Sequence, residues 1–239
     1  MSKDKILIIE DEEDIQELLK YNLKKDGFER LKITNSGEAG LDAVKTFLPN
    51  IILLDLMLPG IDGLTVCRKL KNNSETAHIP IIMLTAKSEE SDIIVGLEMG
   101  ADDYVVKPFS NKVLIARIRS VLRRAKSIQS ENDKTVLQRG PLLINRTKRE
   151  ASLDNKSLIL TYSEFEILFL LAKRAGWVFS RNQIVNQVKG DDYPVTERSI
   201  DVQIVGLRKK LGIAGEAIET VRGVGYRFKE NFSDSDLKK

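Results

Sequence analysis

With 239 residues, 42% of them hydrophobic, the chain can fill one or two ordinary cores, and it has no run near the roughly 20 apolar residues that a membrane span needs. The opening "MSKDKILIIEDEED" turns acidic before a signal-peptide core could form, which makes the cytoplasm the expected location, and the single Cys67, set among apolar neighbours in "LTVCRKL", excludes an internal disulfide and reads as a buried helix thiol. Charge is uneven: residues 1–126 carry 19 Lys and Arg against 20 Asp and Glu, residues 127–239 carry 19 against 15, and the basic lean of the second part gains meaning only beside a nucleic-acid motif.

Five short β-branched runs come first: "KILIIE" (5–10), "RLKIT" (30–34), "IILL" (51–54), "PIIML" (80–84) and "YVV" (104–106). A stretch of helical periodicity follows each, most clearly Leu114, Ile118, Val121 and Leu122 at i, i+4, i+7 and i+8. Runs that are apolar almost throughout predict strands buried on both faces. The expected fold is therefore a five-stranded, doubly wound parallel α/β sheet. Ligands of such sheets bind beyond the carboxyl ends of the strands, and the residues there are Glu10 and Asp11, Asp55, Thr85 and Ala86, and Lys107 before Pro108. Three acids, a hydroxyl and an ammonium on one edge fit transfer of a phosphoryl group onto Asp55. The carboxylates would hold Mg²⁺, Lys107 and Thr85 would complete the charge clamp, and the small Ala86 would leave room for the donor.

These motifs, "IIEDEED", "LLDLMLPGIDG", "IIMLTA" and "GADDYVVKPF", resemble the receiver domain of response regulators, a flavodoxin-like fold, over residues 1–124. The resemblance implies Mg²⁺ held by Asp11, Asp55 and the backbone carbonyl of Met57, with Glu10 acting directly or through water, and a cis Lys107–Pro108 peptide. It implies that Thr85 moves toward the phosphoryl group, that Tyr104 turns inward behind it, and that a two-fold dimer forms on the face of the fourth helix, fifth strand and fifth helix. On that face it points to Glu98 with Arg119 and Asp103 with Arg117 as ion pairs, with Asp102 beside them. Ile93 and Val113 stand where another charge pair is usual, so a dimer less sensitive to salt is expected. A haloacid-dehalogenase-like phosphatase would need a second Asp two residues after Asp55. Met57 is there instead, so a slowly hydrolysed switch is expected rather than a turnover enzyme. The single His78 lies in a loop before a strand, which leaves the phosphoryl donor to a separate histidine kinase.

"KSIQSENDK" is polar, and residues 125–135 read as a flexible linker, about 30 Å if extended. That length would let a symmetric receiver dimer serve two DNA-binding units on repeated half-sites. Beyond it, "LLIN", "REASL" and "SLILT" predict a small antiparallel sheet. A helix follows along Phe165, Leu168, Phe169 and Ala172, then a short helix over 180–188, a third helix, and a hairpin in "IETVRGVGYRF". Together with "LTYSEFEIL" and "RSIDVQIVGLRKKL", residues 136–231 resemble the winged helix-turn-helix effector domain of the OmpR/PhoB subfamily, which implies binding to double-stranded DNA.

Along the third helix Ile200, Ile204, Leu207 and Leu211 form an apolar seam, so Arg198, Ser199, Val202, Val205, Gly206 and Lys209 are expected to face the major groove. Arginines are usual near 205 and 206 in this subfamily; Val205 and Gly206 predict less guanine readout and more apolar contact and shape recognition. Arg208, Lys209 and Lys210 are expected at phosphates, Thr220 near the backbone and Arg222 in the minor groove. Lys189 replaces a usual Trp before the acidic "GDDYPVTE", which leaves a contact with RNA polymerase open. Residues 232–239 read as a disordered tail. A competing reading, a DNA-binding regulator whose receiver dimerises without phosphorylation, is disfavoured by the complete set Glu10, Asp11, Asp55, Thr85 and Lys107.

Overall fold

The computed structural model describes residues 2–86, 96, 97, 99–127, 136–189 and 198–237. The chain divides into two compact units, Met1–Ala125 and Lys126–Lys239. The first contains β1 (Ser2–Ile9), α1 (Glu13–Lys25), β2 (Phe28–Thr34), α2 (Gly37–Phe47), β3 (Ile51–Asp55), α3 (Gly63–Lys71), β4 (Ile81–Thr85), β5 (Asp103–Val106) and α4 (Asn111–Ser127). All five strands are parallel, in the order β2-β1-β3-β4-β5. The helix labelled α4 is the fifth expected from the sequence; Ile93 and Glu98, assigned to the expected fourth, lie outside the described residues.

Alternation along β1 shows why the sheet is covered twice. Ile6 and Ile8 pack with Leu19 and Leu23 of α1 and Leu114 and Ile118 of α4, whereas Leu7 and Ile9 pack with Ala43 and Val44 of α2 and Val66 and Leu70 of α3. Local chemistry starts the helices: Ser36 Oγ accepts the Ala39 N–H, and Asp62 Oδ1 accepts the Thr65 N–H at 2.7 Å. Cys67 is fully buried in α3, and burial pushes its thiol up to about 12, which fits a packing residue.

Asp102, expected on the dimer face, is inside instead. It pairs with Lys71 at 2.6 Å and accepts the Ile81 N–H at 3.0 Å. Lys71 Nζ also donates to the carbonyls of Ala77 and Ile79, so a fully buried ammonium joins the end of α3, the loop to β4 and the approach to β5. Sequence spacing gave no sign of this, because Lys71 and Asp102 are 31 residues apart and each reads as an ordinary surface charge.

In the second unit β6 (Val136–Arg139), β7 (Leu142–Asn145), β8 (Glu150–Leu153) and β9 (Lys156–Ser157) form an antiparallel sheet in chain order. Then come α5 (Tyr162–Lys173), β10 (Phe179–Ser180), α6 (Arg181–Lys189), α7 (Arg198–Leu211), β11 (Ile218–Val221) and β12 (Gly225–Phe228), with β10 paired to β12 beside the β11–β12 hairpin. β6 and β10 were not marked by the sequence, being short and weakly alternating. Phe165, Leu168, Phe169 and Ala172 of α5 enter one core with Ile200, Ile204, Leu207 and Leu211 of α7, as the periodicity required. A capping box fixes the start of α5: Glu164 N–H donates to Thr161 Oγ1, and Thr161 N–H to Glu164 Oε2.

Two boundaries differ from expectation. α4 runs on through Ser127, so the stretch assigned to the linker begins as helix, and residues 128–135 lie outside the described set. The tail assigned to disorder is anchored: Phe232 is buried with its ring edge-on to Phe228 at 5.5 Å, Asp236 pairs with Lys229, and Asp234–Leu237 makes a 3-10 turn. One aromatic decides this, and a polar average hides it.

Removing one partner of a buried pair strands the other charge. Lys71→Met is expected to cost about 3–5 kcal/mol in urea unfolding, and Lys71→Met with Asp102→Asn to recover a large part of it. Equal losses in single and double variants would contradict the pairing.

Candidate functional site

The site is built at the carboxyl edge of β1, β3, β4 and β5. β3 presents Asp55 as its last residue, buried, opposite Leu84, whose neighbour Thr85 ends β4. The turn after Asp55 is close-packed: a Cβ on Gly63 would lie 2.1 Å from the Asp55 carbonyl oxygen, so only glycine lets α3 begin there. Asp55 Oδ1 accepts the Met57 N–H at 3.2 Å, which orients the carboxylate, while the Met57 side chain is 61% exposed. Glu10, Asp11 and Asp55 each bring an oxygen within 4.8 Å of the others. The Lys107 ammonium sits among them, 3.0 Å from Asp55 Oδ2 and 3.0 Å from Glu10 Oε1. The Lys107–Pro108 peptide is cis. The convergence expected from four separate strand ends is thus present, with Ala86 exposed just after Thr85.

Two further groups belong to the cluster. Glu12 Oε1 is 3.4 Å from the Lys107 ammonium, and Gln16 Nε2 donates to the Glu10 carbonyl at 2.6 Å. Glu12 could have been found in the acidic run; Gln16 could not, because it acts from the first turns of α1 on a backbone atom. Burial, reinforced by the charge of Asp55, raises the Glu10 carboxyl to about 7 despite the Lys107 hydrogen bond. Burial alone would lower Lys107, but its bonds to Glu10 and Asp55 and their charge hold it above the ordinary lysine value.

Behind Thr85 lies a small apolar cavity of about 10 Å³, lined by Leu56, Met83, Leu97 and Ala101 with Tyr104. Next to it Arg117 closes on its own chain: Nη1 reaches both oxygens of Asp103, at 2.7 and 2.9 Å, and the Tyr104 carbonyl at 3.0 Å. Arg119 binds Asp26 Oδ1 at 2.8 Å and the Asp26 carbonyl, because α1 ends beside it; Glu98, its expected partner, lies outside the described residues. Val113 is exposed on the same helix.

In the second unit the structure redistributes the expected DNA face. Ser199 is 1% exposed, so it is part of the core side of α7. Gly206 faces α5: a Cβ there would meet Glu164 Oε1 at 2.9 Å, and Lys210 binds Glu164 Oε2 at 2.6 Å. The small residue thus also leaves room for the Glu164 carboxylate of α5. Arg208 turns to the hairpin, donating to the Ile218 carbonyl at 3.0 Å and to Thr220 Oγ1 at 2.9 Å. Asp201, at 2.7 Å from both Arg181 Nε and the Tyr226 hydroxyl, ties α7 to α6 and β12. Val202 is half-exposed, and Val205, Lys209 and Arg222 are exposed. The side chains of Arg198 and Lys189 and all of residues 190–197 lie outside the described set, and with them the loop considered for RNA polymerase.

Residues 6–119 match the response regulator receiver domain, and residues 155–228 match the transcriptional regulatory protein, C-terminal domain. The chain is 43% identical over 224 residues to the phosphate regulon transcriptional regulatory protein PhoB of Rhizobium meliloti, covering 93% of this chain and 97% of that one. It is 41% identical over 226 residues to the sensory transduction protein RegX3 of Mycobacterium tuberculosis, with the same coverage. Among solved structures, the response regulator DrrB of Thermotoga maritima, an OmpR/PhoB homolog, is 32% identical with a TM-score of 0.50, covering 95% of this chain and 100% of that one. A receiver joined to a DNA-binding domain defines a two-component transcription regulator. The chain belongs to the OmpR/PhoB family of response regulators. A receiver implies a histidine kinase partner, and the C-terminal domain implies DNA. Among the described residues no helix is long and apolar enough to cross a membrane.

Glu10 has a testable consequence for stability. Folded, it keeps its proton to about pH 7; its ordinary value is 4.5. Between these values the folded state binds more protons, so this contribution is full below pH 4.5 and is lost as pH rises through about 7. The urea midpoint of the protein in chelator should fall between pH 5 and 8, and Glu10→Gln should flatten the slope. A variant that keeps the wild-type slope would contradict the assignment.

Proposed function

We propose that the protein is a phosphorylation switch in which Asp55 accepts a phosphoryl group from the phosphohistidine of its kinase, the receiver dimerises, and the second unit binds repeated DNA half-sites. The observation that carries this reading is the Lys107 ammonium held 3.0 Å from Asp55 Oδ2 at a buried sheet edge. An Asp55 oxygen forms the new bond to phosphorus as the bond from phosphorus to the imidazole nitrogen breaks. Charge in the transition state spreads over three oxygens, and Lys107 is a cation fixed in advance beside them.

Three hard oxygen donors within 4.8 Å fit a divalent cation, so Glu10, Asp11 and Asp55, with the Met57 backbone carbonyl, would hold Mg²⁺. When bound, it neutralises phosphoryl oxygens. Thr85, buried at the end of β4, supplies a hydroxyl that follows the phosphoryl group, with Ala86 leaving the donor space. Tyr104 then turns inward; the cavity behind Thr85 is too small for a phenol ring, so that rotation displaces the wall at Leu97 and reshapes the adjoining face. That face, with Val113, is the dimer surface in this reading; Asp103, expected on it, is buried and paired with Arg117 of its own chain. The exposed Val113, at a position where a charge is usual, would supply apolar contact in place of a charge pair.

The phosphoryl group stays on because the exposed Met57 side chain cannot orient water, so the protein signals without turnover. The cytoplasm is where kinase and DNA meet.

Acetyl phosphate with Mg²⁺ should add one phosphoryl group to the wild type and none to Asp55→Ala, read by intact mass; an unlabelled wild type would sink the reading. Met57→Asp should shorten the lifetime of the phosphorylated form severalfold, read by phosphate release. In sedimentation with beryllofluoride the dimer should persist at high salt, and its dissociation there would remove the role given to Ile93 and Val113.

A further inference from the structure

The surface of α7 that is left for DNA is chemically unusual. A recognition helix ordinarily reads base edges with hydrogen-bonding side chains, but most such groups on this helix are already committed. Asp201 is held by Arg181 and Tyr226, Arg208 by the Ile218 carbonyl and Thr220, and Lys210 by Glu164. Gln203 is buried. What faces outward among the described side chains is a stripe at i, i+3 and i+7: Val202, half-exposed; Val205, 65% exposed; and Lys209, exposed.

A β-branched apolar side chain is a poor helix former and gains nothing by facing water. The surroundings say what covers it. Lys209 lies one turn along the same face, Arg222 is exposed in the turn between β11 and β12, and the chain from residue 127 on carries 19 Lys and Arg against 15 Asp and Glu. The surface is therefore complementary to a polyanion that also presents apolar groups in a groove wide enough for a helix. In the major groove only thymine offers such a group, its 5-methyl.

We infer that Val205, supported by Val202, reads a thymine methyl in each half-site, so that sequence is recognised at this position by apolar contact, with Lys209 and Arg222 supplying sequence-independent attraction. The inference rests on the DNA-binding reading above and deepens it. Arginine at 205 would present donors to guanine O6 and N7 instead, so the identity of this one side chain sets the base class.

The experiment begins with half-sites selected by the full-length protein from random duplexes, followed by replacement of each thymine with deoxyuridine, which deletes only the methyl. Replacement at one thymine per half-site should weaken wild-type binding about fourfold, the worth of one buried methyl group, and should leave Val205→Ala unchanged. Selection with Val205→Arg should replace that thymine by guanine. Because residue 205 is exposed, both variants fold, which circular dichroism checks. If a site is selected but no deoxyuridine replacement weakens binding, or if Val205→Ala keeps the full loss, thymine reading by Val205 is overturned while DNA binding stands. If no sequence is enriched at all, sequence-specific DNA binding falls, and this inference with it.

Discussion

The receiver depends on one electrostatic constraint: Glu10 and Asp55 are held side by side, out of water, at the end of a sheet whose strands are buried on both faces. Two carboxylates in that position oppose each other and the fold that brings them there. The Lys107 ammonium, within 3.0 Å of both, offsets that cost, and the proton that Glu10 retains to about pH 7 offsets more. A site strained in this way favours added positive charge, which a divalent cation would bring, and this is what the proposed phosphoryl transfer to Asp55 would use. The chemistry and the instability of the cluster have the same source.

The rest of the receiver keeps that cluster rigid. Asp55 ends an entirely buried strand, Gly63 lets α3 start against its carbonyl, and the buried Lys71–Asp102 pair joins α3, β4 and the approach to β5. Its polar groups are saturated, so it resists movement while the neighbouring small cavity behind Thr85 permits it. Rigid and yielding parts are thus adjacent, as the proposed switch would require.

Most of the architecture was legible because burial imposes periods on the sequence. The five apolar runs gave the parallel sheet, and Ile200, Ile204, Leu207 and Leu211 gave the core side of α7. The clustering of Glu10, Asp11, Asp55 and Lys107 was legible because each stands at a strand end, where topology alone brings them together. What escaped were residues whose partners are distant in sequence. From spacing alone Asp102 reads as a surface charge, yet it is buried against Lys71, and nothing in the sequence connects Arg119 with Asp26, which it binds. A helical wheel assigned Ser199 and Gly206 to the outer face because it knows one helix only. Ser199 is buried, and α5 occupies the space beside Gly206.

That correction alters how the second unit discriminates. Asp201 holds α7 against α6 and β12 and Arg208 holds it against the hairpin, which fixes its attitude at the expense of readout. Recognition by valine and attraction by Lys209 and Arg222 then respond differently to conditions. Phosphate contacts weaken steeply with salt, whereas contact with a methyl group does not. Raising the salt lowers affinity for all sequences together and leaves the ratio between a thymine-bearing site and its competitors nearly constant. Specificity and affinity are therefore separable on this surface, carried by different side chains of one helix face and the hairpin beside it.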